Sequence, residues 1–302
     1  MRPYRSLLFV PAHKPDWADK ALRAGPDAIV VDLEDSVPDH AKAAARKTAA
    51  EVICHLRQQS PSLGIFVRTN PLSSKVTGSD LEATVVPGLT GVFAPKMNDA
   101  SDVHGLDALV DHFESRSGVS GLEYIIPVET LSAIHHCRDI ALASPRIGAM
   151  VGPTAEHADI ARAVGYQWTP EGLETLYLRS RVLLACREAN VHPLTCLWER
   201  LDDLDGLRTF AAQGRQLGFR GMIVIHPSHT AIVNEVFSPS ADEIAYYRGL
   251  AQAYEEGAAR GEGAVRYRGG HIDKAHYDKA RDWLAEAEQI SSLTTAYARD
   301  RE

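Results

Sequence analysis

Glu129 closes the apolar run Tyr124-Ile125-Ile126-Pro127-Val128. Asp159 follows the next such run, Ile147-Gly148-Ala149-Met150-Val151, after a short loop that contains Gly152 and Pro153. If both runs are parallel strands, the two carboxylates share one carboxyl-end face. Two hard oxygen ligands, with no Cys or His beside them at ligand spacing, suit Mg²⁺ better than zinc. With waters and substrate oxygens in the remaining positions, such a site would polarise a keto or hydroxy acid.

Polar residues recur where the other short apolar runs end. Asp32, Glu34 and Asp35 close the run Ala28 to Leu33, Arg68 and Asn70 follow Ile65 to Val67, and Lys96 follows Gly91 to Ala94. Any one of these reads as a solvated strand end; the set together reads as a site. A guanidinium at Arg68 can hold negative charge developing on an enolate or alkoxide oxygen, or the carboxylate of the acid itself. It can also pair with Asp32, Glu34 or Asp35, and the two roles are compatible because the acids would orient it. Those three acids are therefore expected to support the reacting groups from behind, with Glu34 placed to hold a metal-bound water.

The elements that must position these residues alternate. Strand-like runs at Leu7–Val10, Ala28–Leu33, Ile65–Val67, Gly91–Ala94, Tyr124–Val128, Ile147–Val151, Val191–Leu197 and Met222–Ile225 are each followed by a helix-capable segment. Helical spacing is clear over Trp17–Arg23, Ala41–Leu56, Leu173–Ala189 and Leu204–Leu217. About eight strands in about 230 residues predict a (β/α)8 TIM barrel, whose active site lies at the carboxyl ends of its strands. Continuous apolar runs fit parallel strands buried on both faces. A doubly wound sheet is the rival and needs fewer strands. The barrel is expected over 1–237. From Ser238-Pro239-Ser240 onward a helix over Ala241–Ala259, a glycine-rich stretch, a strand-like piece Ala264–Arg268 and a last helix over about Lys274–Leu293 form an extension, 238–302. It is too small to fold alone and must pack on the barrel or on a neighbouring subunit.

Composition narrows the function. Hydrophobic residues make up 45% of the 302 residues, enough for one large core or two modest ones. A net charge of −8 argues against a general nucleic-acid surface. The four cysteines form no CxxC pair and predict reduced thiols in a cytoplasmic protein. The apolar stretch near the start is too short for a signal-peptide core, and no run approaches membrane-spanning length. Walker A, GxSxG and HExxH motifs are absent, and Gly261-Glu262-Gly263 does not follow a strand.

Several motifs together carry a resemblance. Arg5-Ser6-Leu7-Leu8-Phe9-Val10-Pro11, Val31-Asp32-Leu33-Glu34-Asp35-Ser36-Val37, Val67-Arg68-Thr69-Asn70, Ala94-Pro95-Lys96, Val128-Glu129-Thr130, Ile225-His226-Pro227 and the tail from Phe237-Ser238-Pro239-Ser240 to Gly270-His271-Ile272-Asp273 occur in order. The chain resembles the citrate lyase beta-subunit-like CoA-ester lyases of the HpcH/HpaI aldolase/citrate lyase superfamily, and among them the citramalyl-CoA and malyl-CoA lyases. The resemblance implies a TIM barrel with a C-terminal helical lid that covers a neighbour's active site, in a homotrimer or a dimer of trimers. It implies a reversible Claisen-type cleavage of a 3-hydroxy-3-carboxyacyl-CoA to acetyl-CoA or propionyl-CoA and a 2-oxo acid, pyruvate or glyoxylate. The partners are then small molecules, an acyl-CoA and a 2-oxo acid, with no nucleic acid and no membrane.

The resemblance also assigns roles. Glu129 and Asp159 would hold Mg²⁺, and Glu129 with Arg68 would meet substrate. The family pattern has a Glu-Asp pair after a glycine, whereas this chain has His157-Ala158-Asp159; Asp159 keeps the family's distance to Gly165, and Glu156 is the rival ligand. Asp273 alone reads as a helix N-cap before Lys274; the resemblance makes it the general acid/base, delivered across a subunit interface. Phe9, Lys14 and Lys20 lie where the family grips coenzyme A, although Ala12 replaces the usual glycine there. Ile225 and His226 would line the thioester arm. Two other functions compete: a metal-dependent pyruvate aldolase on free hydroxy acids, with His40 as its local base, and the beta subunit of a citrate lyase complex acting on a carrier-bound thioester.

Overall fold

The computed structural model describes residues 2–300. Eight parallel strands close on themselves: β1 (Ser6–Pro11), β2 (Ala28–Asp32), β3 (Gly64–Arg68), β4 (Gly91–Phe93), β5 (Glu123–Pro127), β6 (Ile147–Val151), β7 (His192–Thr195) and β8 (Gly221–Val224). Pairing of Ser6 with Met222 and of Leu8 with Val224 joins the last strand to the first, which excludes the doubly wound sheet. The helices between them are α1 (Trp17–Ala24), α2 (Lys42–Gln59), α3 (Thr77–Thr84), α4 (Ala100–Ser117), α5 (Leu131–Leu142), α6 (Asp159–Val164), α7 (Leu176–Ala189), α8 (Leu204–Leu217) and α9 (Pro227–Val236). Helix α2 shows why these segments coil: Ala45, Ala49, Val52, Ile53 and Leu56 fall on one helical face and are buried.

Strand side chains alternate between two cores. Leu7, Ala28, Val30, Phe66, Phe93, Ile125 and Ala149 fill the barrel interior. Their neighbours Leu8, Ile29, Val31, Val67, Val92, Ile126 and Met150 pack outward on the helices. A period of two then decides what happens at the carboxyl ends. Phe9 follows Leu7, Asp32 follows Val30, Arg68 follows Phe66, and Glu129 follows Ile125 through Pro127, so all four continue the inward rows. At the opposite end, Arg5 clamps Asp27 with Nε and Nη2 at 2.8 and 2.7 Å, an ion pair that ties β1 to the approach of β2.

Residues Pro3–Phe237 form one compact unit and Ser238–Asp300 another. The second holds α10 (Ala241–Ala259), an antiparallel hairpin of β9 (Ala264–Tyr267) and β10 (Gly270–Asp273), and α11 (Lys274–Arg299). Ser240 opens α10 with a capping box: its hydroxyl accepts from Glu243 N, and the Glu243 carboxylate accepts from Ser240 N. The sequence predicts one strand here and a glycine-rich turn at Asp273. Arg268 (φ 45°) and Gly269 (φ 84°) instead make a two-residue turn with both φ positive, and the chain returns as a second strand ending at Asp273. Helix α11 ends at Arg299, well past the expected Leu293.

Candidate active site

Four loops at the carboxyl ends of the strands build the site. The Asp32 and Arg68 backbones are partners in the β2–β3 register. Arg68 forks onto Asp32, Nε to Oδ1 and Nη2 to Oδ2, both at 2.6 Å. Its Nη1 lies 2.9 Å from Glu34 Oε2 and 3.7 Å from Asp35 Oδ2. The guanidinium also sits over the Phe9 ring, 5.1 Å from its centroid, and Phe9 meets Phe93 edge to face. Asp32 takes further hydrogen bonds from Glu34 N and from the Ser36 N–H and hydroxyl. The three acids thus fix the Arg68 side chain in place.

The loop after β5 turns sharply because Thr130 caps α5, accepting from Ala133 N at 3.0 Å. Thr130 also donates to Asn98 Oδ1, which ties this loop to the one after β4. In that neighbouring loop Lys96 adopts a left-handed φ of 55°, costly for a residue with a Cβ. Its N–H donates to Glu129 Oε1 at 2.7 Å, and its Nζ pairs with Asp159 Oδ2 at 2.8 Å. Lys96 therefore draws together the two carboxylates that the sequence nominated as ligands. Its role depends on a backbone conformation that no spacing rule reveals.

Electrostatics divide these acids. Burial pushes Asp32 upward, but hydrogen bonds and charge from Arg68 prevail and hold it below the usual carboxylate range. The Lys96 hydrogen bond likewise holds Asp159 low. Glu34, 4% exposed, is pushed up to about 8 by burial, with Asp35 and Glu129 adding to the rise against Arg68. Burial raises Glu129 too, and Asp159 adds to that rise.

Asp32, Asp35, Arg68, Glu129 and Asp159 line a cleft of about 500 Å³ at the barrel mouth. Phe9, Lys20, Ile225 and His226 line it as well. Phe9 lies beneath Arg68, at the reacting end, while Lys20 belongs to α1. Trp17, the first residue of α1, was not anticipated; it is 54% exposed and also lines the cleft. Lys14 is exposed and lies outside the lining. His226 is engaged locally, capping α9 through Ser228.

The β6–α6 loop separates the rival ligands. Trp168 Nε1 donates to Thr154 O and Tyr166 OH to Ala155 O, both at 2.9 Å. His157 N and Nδ1 both meet the Glu199 carboxylate, which raises the His157 pKa. Glu156 faces Arg200 at 3.3 Å and is outside the cleft lining, whereas Asp159 is in it. Among the described residues, Glu156, His157 and Glu199 are the one group of three or more metal-capable side chains whose ligand atoms lie within 4.8 Å of one another; Arg200 engages the first acid and His157 the second.

The donor set fits a hard divalent cation. Asp32, Glu34, Asp35, Glu129 and Asp159 share Arg68 and Lys96, and among the described residues only Arg162 reaches Asp159 from outside, at 3.6 Å. The Lys96 N–H occupies Oε1 of Glu129, which leaves Oε2 for a ligand. Glu34 Oε1 is buried with no hydrogen-bond partner among the described residues.

Asp273 belongs to the second unit. It ends β10 and caps α11, its Oδ1 accepting from Ala275 N at 3.0 Å. His276 beside it holds its carboxyl low.

Comparison with known proteins places this geometry. The family model described as HpcH/HpaI aldolase/citrate lyase matches residues 5–227. A citrate lyase subunit beta-like protein of Deinococcus radiodurans is 36% identical, covering 93% of this chain and 96% of its own. An L-malyl-CoA/beta-methylmalyl-CoA lyase of Cereibacter sphaeroides is 32% identical, covering 96% of each. Among solved structures, the protein CitE of Mycobacterium tuberculosis, in complex with magnesium, acetoacetate and coenzyme A, superposes with a TM-score of 0.71 at 26% identity, over 94% of this chain and 98% of that one.

Proposed function

The chain belongs to the HpcH/HpaI aldolase/citrate lyase family, and from that premise we propose that it is a Mg²⁺-dependent CoA-ester lyase. The reaction is the reversible cleavage of a 3-hydroxy-3-carboxyacyl-CoA, of citramalyl-CoA or malyl-CoA type, to acetyl-CoA or propionyl-CoA and pyruvate or glyoxylate. The observation that carries the reading is the convergence of Glu129, Asp159 and the Asp32-clamped Arg68 on one cleft. It is supported by the relative named for malyl-CoA and by the similar structure that holds magnesium, acetoacetate and coenzyme A.

Glu129 and Asp159 would hold the ion, with Glu34 behind them as the acid that would support it. Bound Mg²⁺ supplies Lewis-acid polarisation and orientation of the 2-oxo acid oxygens. Arg68 cannot rotate away, because Asp32 grips two of its nitrogens and Glu34 the third. Its charge therefore faces negative charge as it develops on the enolate or alkoxide oxygen, with no reorganisation at that moment. Phe9 and Ile223 wall the cleft with apolar surface and keep water from the enolate. Lys20 and Trp17 give the coenzyme A end positive charge and a flat aromatic face. Asp273 is the acid/base that gives a proton to the thioester α-carbon in cleavage and takes it in condensation. The second unit carries Asp273 to the cleft of a neighbouring copy, in a cytoplasmic homotrimer.

A coupled assay with Mg²⁺ and a panel of citramalyl-CoA, malyl-CoA and methylmalyl-CoA tests the reading, with Asp273→Ala and Glu129→Gln as controls. Cleavage that stops with EDTA and in both variants is the expected result. No turnover of any thioester by protein that binds Mg²⁺ would overturn it. The assignment would then pass to a pyruvate aldolase on free hydroxy acids or to a complex subunit acting on a carrier-bound thioester.

A further inference from the structure

Asp273 has a partner that the proposed reaction has not yet used. Its Oδ1 lies 2.7 Å from His276 Nδ1, one turn into α11. The same oxygen accepts from Ala275 N at 3.0 Å and from His276 N at 3.4 Å. The Asp273 N–H in turn points at His276 Nδ1, 3.3 Å away. Oδ2 is left outward, with His271 Nε2 of β10 at 3.9 Å.

A proton on the line between Oδ1 and Nδ1 has two positions. On Nδ1 it is donated to a carboxylate that two backbone N–H groups also stabilise. On Oδ1 it is donated to a ring nitrogen that also accepts the Asp273 N–H. No heavy atom needs to move between the two. The other charged groups nearby are engaged. Lys274 pairs with Asp278, and Glu255 of α10 meets Tyr277 and Arg281. Arg266 of β9 stands opposite His271 in the hairpin register.

A lone exposed aspartate is a poor acid near neutral pH, because it has already lost its proton. We propose that His276 is the positioning and proton-holding partner of Asp273, so that an Asp273–His276 pair acts as the acid/base. This rests on the assignment of Asp273 made above. In cleavage Nδ1 gives its proton to Oδ1, and the carboxyl group so formed gives it to the α-carbon. The Nδ1–H bond breaks, the Oδ1–H bond forms and breaks again, and a Cα–H bond forms; the imidazolium becomes neutral imidazole and Asp273 ends as the carboxylate it was at the start. The proton released by the carbinol hydroxyl goes to solvent, from which the ring is recharged. Condensation runs the same path in reverse.

The contacts also close a capping box, in which the side chain three residues after the N-cap reaches back to the N-cap N–H. Gln serves that structural role and carries no titrating proton, so His276→Gln separates the two. Full-length wild type, His276→Gln, His276→Ala and Asp273→Asn would be compared for kcat and KM from pH 5.5 to 9. Exchange of acetyl-CoA α-protons with D2O would be followed in parallel. The expected result is a loss of about 100-fold in kcat for both His276 variants, with KM unchanged and exchange slowed alike. Their residual activity should rise toward acid pH, where a lone carboxyl holds its own proton, and His276→Gln should unfold at the wild-type temperature. Wild-type rates in His276→Gln beside an inactive Asp273→Asn would overturn the partnership and leave His276 a cap. Full activity in Asp273→Asn would sink the acid/base assignment itself, and the partnership with it.

Discussion

Replacing Arg68 by Met should destabilise the barrel far more than the loss of a surface charge. The guanidinium fills two hydrogen bonds of 2.6 Å to Asp32, which is 1% exposed, and one contact of 2.9 Å to Glu34. The methionine side chain would keep most of the volume and none of the charge. Asp32 would retain only the Glu34 N–H and the Ser36 donors. Removing one partner of a buried pair costs about 3–5 kcal/mol, because the other charge stays buried and unpaired. For a domain of this size that is roughly a 6–20 °C fall in the barrel's thermal transition. Arg68→Met/Asp32→Asn should recover most of it, a coupling of about 2–3 kcal/mol. The pH dependence also reverses. In wild type, Asp32 has a folded pKa below its unfolded value, so its contribution is present above the unfolded pKa and lost as pH falls through the folded one. Without Arg68, burial is the dominant influence and the folded pKa rises above the unfolded one, so the penalty must grow as pH rises. Thermal melts at pH 5 and pH 8 in EDTA, with both single variants and the double, measure all three effects. A penalty under about 1 kcal/mol for Arg68→Met, or no recovery in the double variant, would refute the view that these acids are held by Arg68.

Two further outcomes are expected. Glu34 titrates near 8 in the folded chain against 4.5 for the ordinary residue; the fold binds the extra proton between those values, so stability should fall as pH rises from about 4.5 through about 8, by a few kcal/mol at most. Glu34→Gln should flatten that slope in EDTA melts, and an unchanged slope would remove Glu34 as its source. Calorimetric titration with Mg²⁺ should lose more than about tenfold affinity in Asp159→Asn and change little in Glu156→Gln; the opposite ranking would make Glu156 the ligand.

The strands were legible because the apolar runs are continuous and bounded by clear breaks, whereas which residues face inward came from the structure. Once Val30 and Phe66 face inward, Asp32 and Arg68 must follow; the sequence left Arg68 to pair with Asp32, Glu34 or Asp35, and the strand register gives its two-nitrogen fork to Asp32. The same logic placed Glu129. It could not place Lys96, which a left-handed backbone turns onto Glu129, because nothing in Pro95-Lys96 announces a positive φ. The preference for Asp159 over Glu156 rested on the resemblance alone; the contact of Glu156 with Arg200, which lies beyond β7, was not readable from spacing. The return strand at Gly270–Asp273 was hidden by its glycines: an Arg268-Gly269 turn is a weaker hairpin signal than Asn-Gly. His276 was readable in principle, as the third residue after an N-cap, but a cap is the ordinary reason for such spacing.

The strained backbone at Lys96 makes sense only as part of the charge balance of the cleft. A left-handed residue with a side chain costs about 1–2 kcal/mol, and here that strain delivers one N–H to Glu129 and one ammonium to Asp159. Arg68 is already committed to Asp32, with its remaining nitrogen on Glu34. What is left over is therefore specific: Glu34 and Glu129, both raised by burial, are carboxyl groups that lack a full countercharge. Each can be satisfied by a proton or by a cation. A divalent ion would satisfy both more completely than two protons do, because each carboxylate would then face a full positive charge. Cation binding and proton release are then one linked equilibrium in this cleft, strengthening as pH rises toward the range where Glu34 ionises unaided. The apparent excess of acids at the barrel mouth, which a purely structural reading must treat as a cost to stability, is what a small, hard, doubly charged ion would offset.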